Sequence, residues 1–369
     1  MTQVSGVLRP DEAAVFALRG IYEKYGYSRF KMSKFEEYDL YVKNKDFLVS
    51  EGVITFMDND GRLLALKPDV TLSIVKNFVP EKGCVQKVYY NENVYRISEG
   101  GSFKEIMQTG LECMGDIGLY DVAEVIMLAA KSLKSIDGKY ILDISHLGVI
   151  SAITEAAGLS KTAADDILRC IGQKNMHGIA RICEENGVEK RLSDALKAVV
   201  TSYGSCEKVI SSLRKIDAAD IIKNPIDELE ALFSLLKRMG ADENVDIDFS
   251  IVNDMNYYSG IVFRGYIEGL PAGVLSGGEY ANLLKKLGKK GGAIGFAVYL
   301  DMLERLSGTR NDYDVDVVIK YADGQENELA DVVKKYEQKG LSVFCAKSIP
   351  QKLRYRELCS ISSEGDEAQ

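Results

Sequence analysis

A chain of 369 residues, 46% hydrophobic and 27% charged, has the length for two or three domains and the composition of an ordinary globular protein. Its net charge of -9 argues against a broad nucleic-acid surface, because such binding draws most of its affinity from neutralised phosphates. No run of about 18 apolar residues occurs, and the opening MTQVSGVLRPDEAA lacks a charged segment followed by an apolar one, so the reading is of a chain that spans no membrane and stays in the cytoplasm.

Residues 9–27 place Val15, Leu18, Ile21, Tyr22 and Tyr25 at helical spacing between Pro10 and Gly26, which predicts an amphipathic helix. From 53 to 112, apolar runs broken by DNDG, KPD, PEKG and SEGG predict an antiparallel sheet, interrupted by a helix around Thr71 to Phe78. A helix over 119–135 and a strand over 139–145 follow. Residues 150–240 read as a helical insertion that splits the sheet in sequence. Its last helix is predicted with Asn224 as N-cap, Pro225 in first position and Gly240 at the stop. Strands return at 246–252 and 257–267, then a glycine-studded stretch over 269–295 and a helix over 296–306. Beyond Gly308 a short strand-helix-strand unit occupies 309–360, and the acidic tail 361–369 reads as disordered.

Seven cysteines without C-x-x-C spacing, and only His146 and His177, offer no metal-ligand set; reduced, mostly buried thiols are the expectation, with no metal and no cofactor. The basic stretch KKLGKKGG (285–292) reads as a solvated helix end and turn. Arg96, ending the run VYYNENVYR, has the planar fork that pairs with a phosphate, yet the turn after it carries little positive charge.

Four segments in order, LALKPDVTLSIVK, VYRISEGGSFKEIMQTGLECMG, NDMNYYSGIVF and GGEYANLLKKLG followed by GFAVYLDML, resemble the histidyl-tRNA synthetase catalytic core over about residues 8 to 306. The resemblance implies an α+β fold of the class II aminoacyl-tRNA synthetase type over 1–308: an antiparallel sheet with flanking helices, on whose face an amino acid and ATP lie side by side. It implies a histidine-binding set of Asp69, Thr71, Gln108, Glu112, Tyr257, Tyr258, Gly277, Gly278 and Tyr280. Carboxylates and an amide suit an ammonium, and a tyrosine hydroxyl suits a ring nitrogen.

The nucleotide half departs from the family pattern. Only Arg96 remains of the three phosphate-facing arginines, with Asn253 and Met302 at the other two positions, so Arg96 reads as the relic of a nucleotide site. Ser98 stands for the adenine-reading glutamate, Ser102 for another arginine, Ile106 for the stacking phenylalanine and Ser33 for the motif 1 proline. The C-terminal unit is shorter than an anticodon-binding domain and has no basic surface pattern, so no tRNA is expected. Such a core, with its amino-acid pocket kept and its ATP chemistry lost, resembles the regulatory subunits of short-form ATP phosphoribosyltransferase. That resemblance implies no catalysis by this chain, a catalytic phosphoribosyltransferase subunit as partner, histidine as effector, and a homodimer within a hetero-oligomer. A histidyl-tRNA synthetase, or a synthetase-like amino-acid sensor for another partner, stands as the alternative.

Overall fold

The structure, a computed structural model, describes residues 8–45, 52–98, 100–252, 257–303 and 313–361. The chain divides into two compact units, 1–306 and 307–369. The larger unit opens with helix α1 (Pro10–Lys24), strands β1 (Ser28–Arg29) and β2 (Phe35–Glu37), helix α2 (Tyr38–Lys43), and strands β3 (Thr55–Met57) and β4 (Leu63–Leu66). Helix α3 (Thr71–Asn77) leads into the long hairpin β5 (Val85–Ile97) and β6 (Phe103–Gly115), then α4 (Leu119–Ile136) and β7 (Tyr140–His146). The insertion comprises α5 (Leu147–Ala156), α6 (Lys161–Gly172), α7 (Met176–Glu185), α8 (Lys190–Thr201), β8 (Tyr203–Ser205), α9 (Cys206–Leu213) and α10 (Lys223–Arg238). The sheet resumes with β9 (Val245–Asp248), β10 (Ile261–Ile267), β11 (Leu275–Glu279), α11 (Ala281–Lys286) and β12 (Gly292–Tyr299).

These strands form a nine-stranded sheet ordered β1-β5-β6-β12-β11-β10-β7-β9-β8, and β2, β4 and β3 form a separate three-stranded one. The large sheet is antiparallel from β5 to β7 and parallel only at the β1/β5 and β7/β9 pairings. Strand alternation sorts its two faces. Leu111 and Cys113 of β6, with Phe263 of β10 and Phe296 of β12, join Leu18, Tyr22, Val125 and Ile126 of α1 and α4 in the main core. The opposite face carries Val88, Tyr90 and Met114, packed with Leu72 and Ile74 of α3 and Leu283 and Leu284 of α11. One face is thus an apolar foundation and the other is partly roofed by two short helices, which leaves space above the sheet.

Helix α1 forms as its periodicity predicts. Pro10 occupies its first turn, Glu12 accepts from the Arg9 N–H at 2.9 Å, and Gly26 at φ +80° follows its end.

Several sequence expectations are corrected, the mostly buried thiols among them. The helix over 296–306 is instead β12 as far as Tyr299, with a short turn at 301–303 and residues 304–306 outside the described ones. GAIGFAVY is apolar without alternation because both faces are covered, and such a run cannot be told from a buried helix by its period. Helix α10 begins at Lys223 with Ile222 as N-cap, so Asn224 and Pro225 lie inside its first turn, where a missing N–H breaks no helical bond. The insertion is not helical throughout, since β8 pairs with β9 at the sheet edge. The glycine-studded stretch 269–295 holds β11, α11 and the start of β12. Only Cys113 and Cys183 of the seven free cysteines are buried.

The smaller unit has β13 (Val315–Lys320), α12 (Glu326–Glu337), β14 (Val343–Ala346) and β15 (Tyr355–Ser360) in a parallel sheet ordered β14-β13-β15, one strand more than the sequence reading. The tail from 362 lies outside the described residues. Among the described residues, no helix is long and apolar enough to cross a membrane.

Candidate functional site

Register lays the site out in rows across the open face of the large sheet. In one row Val88 (β5), Glu112 (β6), Gly295 (β12), Gly278 (β11) and Val262 (β10) stand opposite one another; in the next stand Tyr90, Gly110, Ala297, Ser276 and Arg264. Gln108 and Tyr299 face each other in a third. The middle strands thus present Gly, Ala and Ser as a low floor, and larger polar side chains rise at both sides. The resulting cavity, about 400 Å³, is lined by Asp69, Thr71, Tyr90, Arg96, Gln108, Glu112, Tyr257, Tyr258, Arg264, Ser276, Tyr280 and Tyr299 among others.

Glu112 is the centre of the acidic wall. Its Oε1 accepts from Thr71 Oγ1 at 2.7 Å and its Oε2 from the Tyr280 hydroxyl at 2.6 Å. The bare Gly295 beside it is required, because a Cβ there would stand 1.7 Å from Glu112 Oε2. Burial pushes the Glu112 carboxyl up to about 8 against those two hydrogen bonds, and the nearby Asp69 adds to the rise. Asp69 stands at the start of α3, where its Oδ1 accepts from the Leu72 N–H at 2.8 Å; burial raises its pKa too, opposed by that bond and by the Arg96 guanidinium.

The tyrosine pair closes the cavity from above. The rings of Tyr257 and Tyr258 lie 4.6 Å apart, and Tyr257 lies 5.9 Å from Tyr280. Burial raises the pKa of both phenols, opposed by Thr71 at Tyr257 and by Ser276 at Tyr258. Gly278 admits Tyr258, whose Cδ1 would lie 2.6 Å from a Cβ at that position. Adjacent strand residues face opposite ways, so Gly277 cannot share the floor with Gly278. A Cβ on Gly277 would meet Phe296 Cβ at 2.5 Å and Phe263 Cζ at 2.6 Å on the core face. It serves packing, whereas Asp69, Thr71, Gln108, Glu112, Tyr257, Tyr258 and Tyr280 line the cavity and Gly278 makes room for Tyr258.

The nucleotide-side positions have been reused. Ser98 and Ser102, where the family pattern has glutamate and arginine, share a hydrogen bond of 2.6 Å between their hydroxyls across the hairpin turn. Ile106 packs against the second core and Met302 against the first. Ser33 accepts from the Phe35 N–H at 3.3 Å. Asn253 lies outside the described residues. Arg96 donates from Nε to the Pro68 carbonyl at 3.2 Å. In the basic stretch, Lys285 and Lys286 end α11 as exposed residues, and Lys289 donates to the Lys76 carbonyl at 2.7 Å. Among the described residues, no group of three or more His, Cys, Asp or Glu side chains is arranged to hold a metal ion.

Sequence reasoning missed Arg264, Ser276 and Tyr299. The sequence reading had them in a strand, a glycine-studded stretch and a helix respectively, and only the register shows which face of the sheet each takes.

A family model described as histidyl-tRNA synthetase matches residues 9–303. An ATP phosphoribosyltransferase regulatory subunit from Ruminiclostridium cellulolyticum is 28% identical over 351 residues, covering 92% of this chain and 84% of the relative. Among solved structures, an ATP phosphoribosyltransferase regulatory subunit/histidyl-tRNA synthetase from Bacillus halodurans superposes with a TM-score of 0.77 at 22% identity, covering 95% of this chain and 93% of that one. A chain of an ATP phosphoribosyl transferase complex from Thermotoga maritima gives a TM-score of 0.62 at 23% identity, covering 79% and 97%.

Proposed function

The chain belongs to the histidyl-tRNA synthetase family, and from that premise we propose that it is a non-catalytic member: the regulatory subunit of an ATP phosphoribosyltransferase, supporting the first step of histidine biosynthesis and carrying its feedback by histidine. The names of its curated relatives point the same way. The observation that carries the reading is a site divided in two. At one end the Glu112, Thr71, Tyr280 and Asp69 constellation is assembled and buried. At the other, Ser98 and Ser102 bond each other and Met302 packs on the core.

Activating an amino acid with ATP builds negative charge at the α-phosphate, and fixed cations there are worth several kcal/mol each in the transition state. Losing two of three suppresses the rate by several orders of magnitude. A pocket that still recognises the amino acid but cannot activate it is a sensor. In this reading histidine binds the cavity, the catalytic chemistry belongs to a short-form phosphoribosyltransferase partner, and the assembly is cytoplasmic and built on a homodimer of this chain. Histidine inhibits by binding two states of the assembly with different affinity.

Two assays test it. The purified chain with ATP and histidine should give no pyrophosphate exchange above a no-enzyme blank. Added to a short-form catalytic subunit, it should raise turnover and make that turnover histidine-sensitive. Exchange above the blank, or a catalytic subunit indifferent to the added chain, overturns the proposal.

A further inference from the structure

The cavity has a second wall that the family pattern does not assign. Arg264 of β10 lines it three strands away from Glu112, across the floor of Gly295, Ala297, Ser276 and Gly278. Three strand spacings put the two backbones about 14 Å apart. A glutamate and an arginine reaching inward across that span leave room for an amino acid.

Two observations fix the direction of the arginine. Gly273 clears its stem, since a Cβ at 273 would stand 2.9 Å from both Cγ and Cδ of Arg264. Its positive charge acts on the Tyr299 phenol, on which the Arg96 guanidinium also acts. Asp143, its cross-strand neighbour on β7, feels Lys174 as its cation instead. Arg264 thus lines the cavity with Arg96 and Tyr299, and the charges of both arginines act on the Tyr299 phenol.

We propose that Arg264, with Arg96, is the carboxylate-recognition end of this cavity, so that the ligand it takes is an α-amino acid with a free carboxylate and not an amide, ester or alcohol derivative. The proposal rests on the reading above that the cavity binds histidine. The side chain that reads the carboxylate comes from β10, eleven residues beyond the arginine position now held by Asn253. The cavity offers a zwitterion separate partners: the Glu112 and Asp69 carboxyl groups stand on one wall, and the Arg264 guanidinium lies three strands from Glu112, with Arg96 also acting at Tyr299. An arginine fork pairs with a carboxylate through two parallel hydrogen bonds, and a neutral amide offers no such partner.

The test is calorimetric titration of the full chain with L-histidine and L-histidinamide, which share the ring and ammonium and differ in the carboxylate. Histidine should bind about 10- to 100-fold tighter, the discrimination a charge-assisted hydrogen bond gives. Arg264→Gln should weaken histidine by about tenfold or more and leave histidinamide unchanged, so that the ratio between them collapses. Arg264→Lys, which keeps the charge but not the fork, should recover part of it, and Gly273→Ala should mimic the loss by displacing the stem. Inorganic phosphate, added as competitor, should displace histidine only weakly. Equal binding of the two ligands by the wild-type chain, or an unchanged ratio in Arg264→Gln, overturns this inference and leaves histidine binding standing. Phosphate competing as well as histidine assigns the cationic end to a phosphate and overturns it too. Failure of histidine to bind overturns the histidine reading and this inference with it.

Discussion

Glu112 is 2% exposed between two hydroxyl donors, and burial raises its pKa from an ordinary 4.5 to about 8. A folded-state pKa above the unfolded one means that the fold holds this proton more tightly than the open chain does. The resulting stabilisation is complete below the ordinary value and is lost as pH rises through about 8. Glu112→Gln removes that titration while keeping an acceptor for one hydroxyl. Each tenfold gain in proton affinity on folding is worth roughly 1.4 kcal/mol. In urea denaturation, the stability of wild type relative to this variant should therefore fall by a few kcal/mol between about pH 5 and about pH 9. Parallel curves for the two proteins would show that the carboxyl is not perturbed. Glu112, Thr71 and Asp69 were legible in the sequence because the four resembling segments carry them as a set. Arg264 was not, because IVFRGYI reads as a strand with one charged residue, and neither composition nor spacing says whether that residue faces water or a cavity.

The long hairpin and its neighbour β12 show how elements carry the site. Thirteen residue pairs in register join β5 to β6, from Val85 opposite Gly115 to Ile97 opposite Phe103. This regularity holds Glu112 and Gln108 on one face and Leu111 on the other. Gly110 lies in the middle, where a Cβ would stand 2.2 Å from the Phe296 carbonyl and 2.5 Å from the Tyr90 hydroxyl. Gly110→Ala should therefore destabilise by about 1–3 kcal/mol or more, because backbone must yield. Gly20→Ala, in the middle of α1 with nothing within 4 Å, should stabilise by about 0.5–1 kcal/mol through helix propensity. Opposite expectations for one chemical change make chemical denaturation of the two variants a direct check, and a destabilised Gly20→Ala would contradict the account of α1. The same contrast explains what could be read beforehand. Helix α1 has one apolar stripe and a solvated back, so its period is visible; β12 is covered on both faces, so its period is erased and its end was mistaken for helix.

At the scale of the molecule, the small sheet β2-β4-β3 leaves apolar surface uncovered within its own unit. Phe35 is 47% exposed and Phe56 38%, and their rings meet edge to face at 5.7 Å. Registers Phe35 to Leu66 and Phe56 to Leu64 put these four side chains on one face of the three strands. Three short strands with an apolar face need a partner to hide it, and a two-fold contact presents the same patch twice. This supports the homodimer proposed above. Light scattering of the isolated chain at micromolar concentration should give twice the chain mass, and the double substitution Phe35→Lys, Phe56→Lys should give the single mass with an unchanged circular dichroism spectrum. The cavity is a separate matter, because its lining includes no residue of β2, β3 or β4. The monomeric variant should therefore keep the histidine-dependent rise in melting temperature, which at a hundredfold excess over Kd corresponds to about 2.7 kcal/mol. A wild-type monomer would remove the dimer. A variant that is monomeric and no longer stabilised by histidine would instead mean that the contact between copies holds the cavity in shape, and histidine would then be sensed by the dimer as a whole.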